Sequence, residues 1–221
     1  MDILPQDKLL ESSVTVIGAG GLGSPALLYL AAAGVGKIKI VDHERIEISN
    51  LNRQILYKEK DIGKNKSIAA AERLGEMNSE IELEAIDASV SGENARGILK
   101  GSDVVVDCLD NWETRFVINK ACVEDGIPLV HGAVEGMSGQ LTTIIPDKTA
   151  CLACLFRDHR SKKPEVVGFA AGIVGCLEGM EAVKLISGKK TLQNEILFVD
   201  LETNEFRKIG VSKKKGCEVC G

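Results

Sequence analysis

The sequence predicts an α/β protein: a doubly wound, mostly parallel sheet with helices on both faces and an antiparallel extension at its C-terminal end. Three observations predict it. A glycine-rich turn joins an apolar run to a helical run near the start. Short apolar runs then alternate with helix-period segments as far as residue 132, the pattern of parallel strands joined by crossover helices. After about residue 135 the next apolar run has no crossover helix behind it. A soft boundary falls there, dividing 1–135 from a C-terminal extension, 136–221, within one globular unit.

The first strand, 13–17, runs into Gly18-Ala19-Gly20-Gly21-Leu22-Gly23-Ser24, followed by an apolar helix pattern to residue 33. Gly18, Gly20 and Gly23 fit G-x-G-x-x-G. The first glycine allows the tight turn, the second lets backbone N–H groups approach a phosphate, and the third lets helix and strand pack closely. The helix N-terminus presents unpaired N–H groups and a positive dipole end to an anion. Three glycines at this spacing also make a plain packing turn. The context favours a nucleotide: the next strand, 37–42, ends in Asp42, 19 residues after Gly23, where a ribose hydroxyl needs an acceptor. This is a Rossmann-like arrangement.

Residues 43–63 lack clean periodicity and carry Ser49-Asn50-Leu51-Asn52-Arg53-Gln54. A helix is predicted over 64–77, with Ile68, Ala71 and Leu74 on one face. Residues 81–86 alternate apolar and acidic, as a half-exposed strand does. A short helix over 93–99 precedes a buried strand over 104–108, then Leu109, Asp110 and Asn111, then a helix over 114–124. Residues 128–132 form the next strand and 139–146 the first without a crossover. A strong helix spans 169–186, with Ile173, Leu177, Met180 and Val183 on one stripe, and 195–200 with 205–211 form a terminal antiparallel hairpin.

Composition narrows the function. At 221 residues and 44% hydrophobic, the chain buries a sizeable core. A net charge of −5 argues against a nucleic-acid-binding surface. No apolar run approaches the roughly 18 residues of a membrane span, and the first residues lack the charged-then-apolar form of a signal peptide. The expected location is the cytoplasm.

Ligands in such a sheet sit at the carboxyl ends of the strands, here the loops 18–24, 42–54, 108–112 and 132–138. The candidate site residues cluster there: Gly18, Gly20, Gly21, Gly23, Asp42, Asn50, Arg53, Gln54, Asp110 and Asn111, with Lys66 just after Gly63 at a helix start. Taken singly, Arg53 and Lys66 read as solvated charge and Asp110 as a carboxylate beside a helix N-cap. Their shared placement favours convergence on phosphates. Four of seven cysteines form Cys151-Leu152-Ala153-Cys154 and Cys217-Glu218-Val219-Cys220. Two chelating turns of this kind suit a tetrahedral Zn²⁺, with a pair of redox dithiols as the alternative. Cys108 and Cys122 read as buried, and Cys176 as packed in the helix core.

Together the glycine loop, Asp42, the 49–54 stretch, Lys66, Cys108-Leu109-Asp110-Asn111 and the paired C-x-x-C motifs resemble the MoeB/ThiF/HesA family, small relatives of ubiquitin-activating enzymes. The resemblance covers roughly residues 10–221. It implies a homodimer that binds ATP and adenylates a carboxylate, usually the C-terminal glycine of a ubiquitin-like protein, releasing pyrophosphate. By resemblance Gly21 contacts the nucleotide and Asp42 the ribose. Arg53 and Lys66 bind phosphates, Asp110 holds Mg²⁺ with Asn111 beside it, and Cys151, Cys154, Cys217 and Cys220 hold one structural Zn²⁺. A nicotinamide dehydrogenase would use the glycines and Asp42 but has no use for Arg53, Lys66 and Asp110 together, and His43, His131 and His159 are scattered.

Two departures from the family pattern matter. Members usually carry an N-terminal arginine motif that reaches the partner subunit's ATP, whereas the first arginine here is Arg45. Several carry an acyl-accepting cysteine in a crossover loop, whereas 156–168 has none. Both fit a divergent, HcgE-type branch that acts on a small acid. The expected function is therefore ATP-dependent adenylation of a small-molecule carboxylate, such as a pyridinol precursor of the [Fe]-hydrogenase cofactor. The alternatives are adenylation of a ubiquitin-like sulfur carrier's C-terminus and a non-catalytic nucleotide-binding scaffold.

Overall fold

The computed structural model describes residues 4–156 and 165–221. Five parallel strands come first: β1 (Ser13–Ile17), β2 (Lys37–Val41), β3 (Glu82–Ile86), β4 (Val104–Asp107) and β5 (Leu129–Glu135). Three antiparallel strands follow: β6 (Ser138–Ile144), β7 (Glu195–Asp200) and β8 (Glu205–Gly210). Among the described residues they form one sheet in the order β3-β2-β1-β4-β5-β6-β7-β8. Residue 135 is the last of β5, and the β5–β6 hairpin carries the sheet across it without a break.

The helices are α1 (Gln6–Leu10), α2 (Gly23–Ala32), α3 (Lys66–Met77), α4 (Ala95–Leu99), α5 (Trp112–Asp125), α6 (Leu152–Phe156) and α7 (Gly168–Ile186). Alternation along the strands sorts them into two layers. Val14, Val16, Ile38, Ile40, Val104 and Val106 point to the core shared with α2, α3 and α7. Ile17, Val41 and Val105 point to the core shared with α4, α5 and α6. The sequence misses α1 and α6, because five residues are too few to show a helical period.

Register sets the active end. Ile17 pairs with Val41 on one side and Asp107 on the other, and Asp107 pairs with His131. Gly18, Asp42, Cys108 and Gly132 therefore leave the sheet level with one another. Chain order reverses between β1 and β4, so a crevice opens there.

Two helix faces differ from expectation. On α7 the buried residues are Ala170, Ala171, Val174, Gly175, Glu178, Gly179, Glu181, Ala182 and Val183. Ile173 and Met180 are exposed and Phe169 is 82% exposed. The cause is close packing on α2: a Cβ on Gly175 would lie 2.2 Å from Leu22 O, and one on Gly179 3.4 Å from Ala26 O. Small residues, not the large stripe, let these helices meet, and Cys176 lies half-buried outside the core. On α3, Ala69, Ala70 and Leu74 are buried while Ile68 is 45% exposed. Helix α5 starts at Trp112 because the Asn111 side chain accepts from Thr114 N at 2.9 Å.

Candidate active site

A cleft of about 390 Å³ lies over the carboxyl ends of β1, β2, β4 and β5. Of the predicted site residues, Gly18, Gly20, Gly21, Asp42, Asn50, Arg53, Gln54, Lys66, Asp110 and Asn111 all line it. Gly23 does not; it lies beneath, as the third glycine of the loop should. Gly18 has φ +95°, and its Cβ would meet Cys108 O at 2.7 Å. A Cβ on Gly23 would meet Gly18 O at 2.0 Å, so helix α2 starts against the turn itself.

Asp42 is 9% exposed. Its Oδ2 accepts from Ala19 N and its Oδ1 from Glu44 N, both at 2.8 Å. Burial pushes its carboxyl above the usual range, while those two N–H groups and Lys66 pull it back. The carboxylate thus fixes the glycine loop as well as facing the cleft. Tyr57, which sequence patterning does not single out, completes the hold. Its hydroxyl lies 2.8 Å from Ala19 O and 3.2 Å from Lys66 O, joining the loop to the first turn of α3.

Lys66 is 2% exposed, and its Nζ lies 2.5 Å from Glu44 Oε2. That pairing gives the buried ammonium an exposed, displaceable partner. Arg53 Nη1 donates to Ser49 O at 3.0 Å and to Asn52 Oδ1 at 2.9 Å. Asn50 is buried, and its Oδ1 accepts from Glu47 N at 3.2 Å, shaping the turn that carries Arg53 and Gln54. Asp110 is exposed at the cleft edge, and the helix cap considered for it belongs to Asn111.

Beneath the cleft lies a buried polar group that the sequence did not reveal. Asp107 and His131 are fully buried, with Asp107 Oδ2 2.7 Å from His131 Nδ1. Arg115 Nε lies 3.5 Å from the same Oδ2. Across the sheet, the fully buried Glu178 meets Cys108 Sγ at 3.6 Å. Burial holds the Glu178 carboxyl and the Cys108 thiol well above their ordinary values, and burial lowers His131 despite Asp107. Cys108 is therefore a neutral thiol. His43 lines the cleft, while His159 and most of the 156–168 crossover stretch lie outside the described residues.

The four paired cysteines come together on the α5–α6 face. Their sulfurs all lie within 4.8 Å of one another, with Cys151–Cys154 at 4.0 Å, Cys151–Cys217 at 3.7 Å and Cys154–Cys220 at 3.5 Å. A tetrahedral site with metal–sulfur bonds of about 2.3 Å spaces its sulfurs by about 3.8 Å, so the donor set fits such an ion. No helix among the described residues is long and apolar enough to cross a membrane.

Comparison with known proteins accounts for the combination. The ThiF family pattern matches residues 2–219. The sulfur carrier protein ThiS adenylyltransferase of Escherichia coli is 40% identical over 222 residues, covering 98% of this chain and 88% of its own. The SAMP-activating enzyme E1 of Haloferax volcanii is 40% identical over 224 residues, covering 98% and 83%. A crystal structure of Escherichia coli MccB with AMPCPP and MccA superposes with a TM-score of 0.86 at 26% identity, over 98% of this chain and 68% of that one. The glycine loop, the aspartate and buried lysine at the cleft, and the four-cysteine cluster accord with this match over nearly the whole chain: the chain belongs to the ThiF family of adenylyltransferases.

Proposed function

We propose that this enzyme uses ATP to adenylate the C-terminal carboxylate of a ubiquitin-like sulfur carrier protein. The observation that carries the reading is 40% identity over nearly the whole chain to an enzyme named for that substrate class. This places the carrier ahead of the pyridinol carboxylate expected from the sequence departures. The cleft supports it. Beyond the nucleotide loops it is lined by Val134 of β5 and by Gln140 and Phe198 of the antiparallel strands, and the outer strand β8 is exposed along its length. A polypeptide tail has a surface to lie on there.

The chemistry asks for placement more than proton transfer. A carboxylate is ionised at neutral pH and attacks the α-phosphorus without a general base. The P–O bond to pyrophosphate breaks as the acyl–phosphate bond forms, and the developing charge needs neutralising. Asp42 would accept from the ribose with its remaining lone pairs, and the backbone N–H groups of Gly20 and Gly21 would face phosphate. Lys66, released from Glu44, and Arg53 would bind the phosphates. Asn50 shapes the turn that carries Arg53, Gln54 would face the ligand beside Gly20, and Asn111 holds the start of α5 beside Asp110. Asp110 would hold Mg²⁺, which supplies further charge neutralisation when bound. The cysteine cluster would hold Zn²⁺ with all four positions filled, a structural role. We assign pairing of two copies to the exposed α7 face of Phe169, Ile173 and Met180. Sedimentation velocity giving only monomer at micromolar concentration would remove that assignment.

The test is isotope exchange between pyrophosphate and ATP, driven in parallel by carrier-tail peptides ending in glycine and by pyridine carboxylic acids. Exchange with the peptides and none with the acids is expected. The reverse would restore the small-acid reading, and none with either, despite ATP binding, would favour the scaffold.

A further inference from the structure

Arg115 is absent from the residues assigned above, yet it is 4% exposed and lines the cleft. It sits in the first turn of α5, four residues past the Asn111 cap. Its Nη2 donates to Leu109 O, in the loop after β4, and to Gly132 O of β5 at 2.9 Å. Its charge is answered by Asp107 at 3.5 Å, and its guanidinium lies 5.0 Å over the Trp112 ring. The paired charge therefore contributes little field to a phosphate; what Arg115 contributes is geometry. Leu109 C=O belongs to the peptide group that leads into Asp110. Gly132 leads into Ala133 and Val134, which form the opposite wall. One guanidinium thus ties the loop bearing Asp110 to the wall where the acyl group would lie. Both bonds leave one terminal nitrogen whose two N–H groups are fixed in the guanidinium plane, and that plane is held by Asp107 beside Nε and by the Trp112 ring; a lysine ammonium, a rotatable point donor, has neither constraint.

We propose that Arg115 is a positioning residue for adenylation, one that sets the direction of Asp110 and the width of the cleft through the Leu109 and Gly132 carbonyls. The proposal rests on the assignment of Asp110 to Mg²⁺. It separates two quantities that a general loss of structure would move together: affinity for metal-free ATP, held by the β1 and β2 loops, and the gain in affinity on adding Mg²⁺, which depends on the β4 loop.

The experiment is calorimetric titration of AMPCPP with excess chelator and with excess Mg²⁺, on wild type, Arg115→Lys and Asp110→Ala. Arg115→Ala is avoided because it leaves Asp107 buried without its cation. The double variant Asp107→Asn/Arg115→Gln, which buries no lone charge, serves as the second reading. Arg115→Lys and the double variant are expected to bind metal-free AMPCPP within about twofold of wild type. They are expected to lose about tenfold or more in the magnesium-bound form, the usual size of an effect on a ligand's supporting shell. Equal loss with and without metal would reduce Arg115 to a structural part and overturn the proposal, as would no loss at all. If Asp110→Ala itself leaves the magnesium effect intact, the metal assignment falls and takes this proposal with it. If Asp110→Ala abolishes the effect and both Arg115 variants keep it, only the role of Arg115 is lost.

Discussion

The parallel half of the sheet and the antiparallel half hold their shape by different means. Around β1, β2 and β4, close backbone packing and hydrogen bonds onto backbone groups do the holding: Gly23 against Gly18 O, the Asp42 carboxylate on Ala19 N and Glu44 N, and register that brings three strand ends level. In the antiparallel half, β8 is exposed on every residue and, among the described residues, pairs only with β7. The chain end beyond it returns to the body through Cys217 and Cys220, packed beside Cys151 and Cys154. Contacts of this kind keep a site in place without help. Side-chain sulfurs at the end of a hairpin do so only when something joins them. The nucleotide end should therefore be insensitive to treatments that loosen the terminal hairpin.

The largest expected effect tests that asymmetry. Removing metal with a chelator, or changing Cys217 to Ser, is expected to lower Tm by about 10 °C or more, because metal binding at such a site is partly folding energy. Hydrogen exchange should place the loss in β7, β8 and the chain end. Equal loss of protection in β1 and β2 would erase the distinction between the halves.

Next in size is Lys66→Ala. Its partner Glu44 has a half-exposed side chain and tolerates losing the pair. Adenylation measured by pyrophosphate exchange is expected to fall at least about 100-fold, or about 2.7 kcal/mol, with Tm little changed. Exchange near the wild-type rate would remove Lys66 from the phosphate site.

Asp42→Ala should weaken ATP binding by about 1.5–3 kcal/mol, the range for a hydrogen bond to a charged group. Calorimetry is the measurement, and tighter binding of NAD than of ATP would sink the ribose assignment.

The smallest effect is a pH dependence. Burial raises the Glu178 carboxyl well above its ordinary 4.5, so the folded state keeps a proton that the unfolded state releases. Stability from this group is therefore fully present below the unfolded value and is lost as pH rises toward the folded one, by up to about 1.4 kcal/mol per pH unit. Glu178→Gln should remove that slope. Parallel stability curves for the two proteins between pH 5 and 7 would contradict it.

The parts legible in the sequence are those with a local cause. The glycine loop, Asp42 and the paired cysteines announce themselves because turn geometry, strand-end position and chelation each fix residue type at short spacing. The α7 face was misread because periodicity reports which residues are apolar and cannot say that Gly175 and Gly179 will be pressed against α2. Asp107, His131, Arg115 and Glu178 went unseen because each lies in a separate element, and only sheet register and the facing helices bring them together. Tyr57 was hidden for another reason: residues 43–63 are held by hydrogen bonds, which leave no apolar period.

The β5–β6 hairpin carries a consequence for how this enzyme can change over generations. Along its arms a Cβ on Gly132 would strike Glu178 at 2.4 Å, and one on Gly139 would strike Val174 at 2.4 Å. At its tip Gly136 holds φ +59°, a left-handed conformation that keeps glycine there, while Glu135, Met137 and Ser138 are exposed. The glycines of the arms are closed to drift and the exposed side chains of the tip are open to it, within a few residues of the same cleft wall. A lineage changing its acyl partner therefore has a route that leaves the nucleotide loops untouched. A saturation scan would show it as tolerance at 135, 137 and 138, with intolerance at 132, 136 and 139.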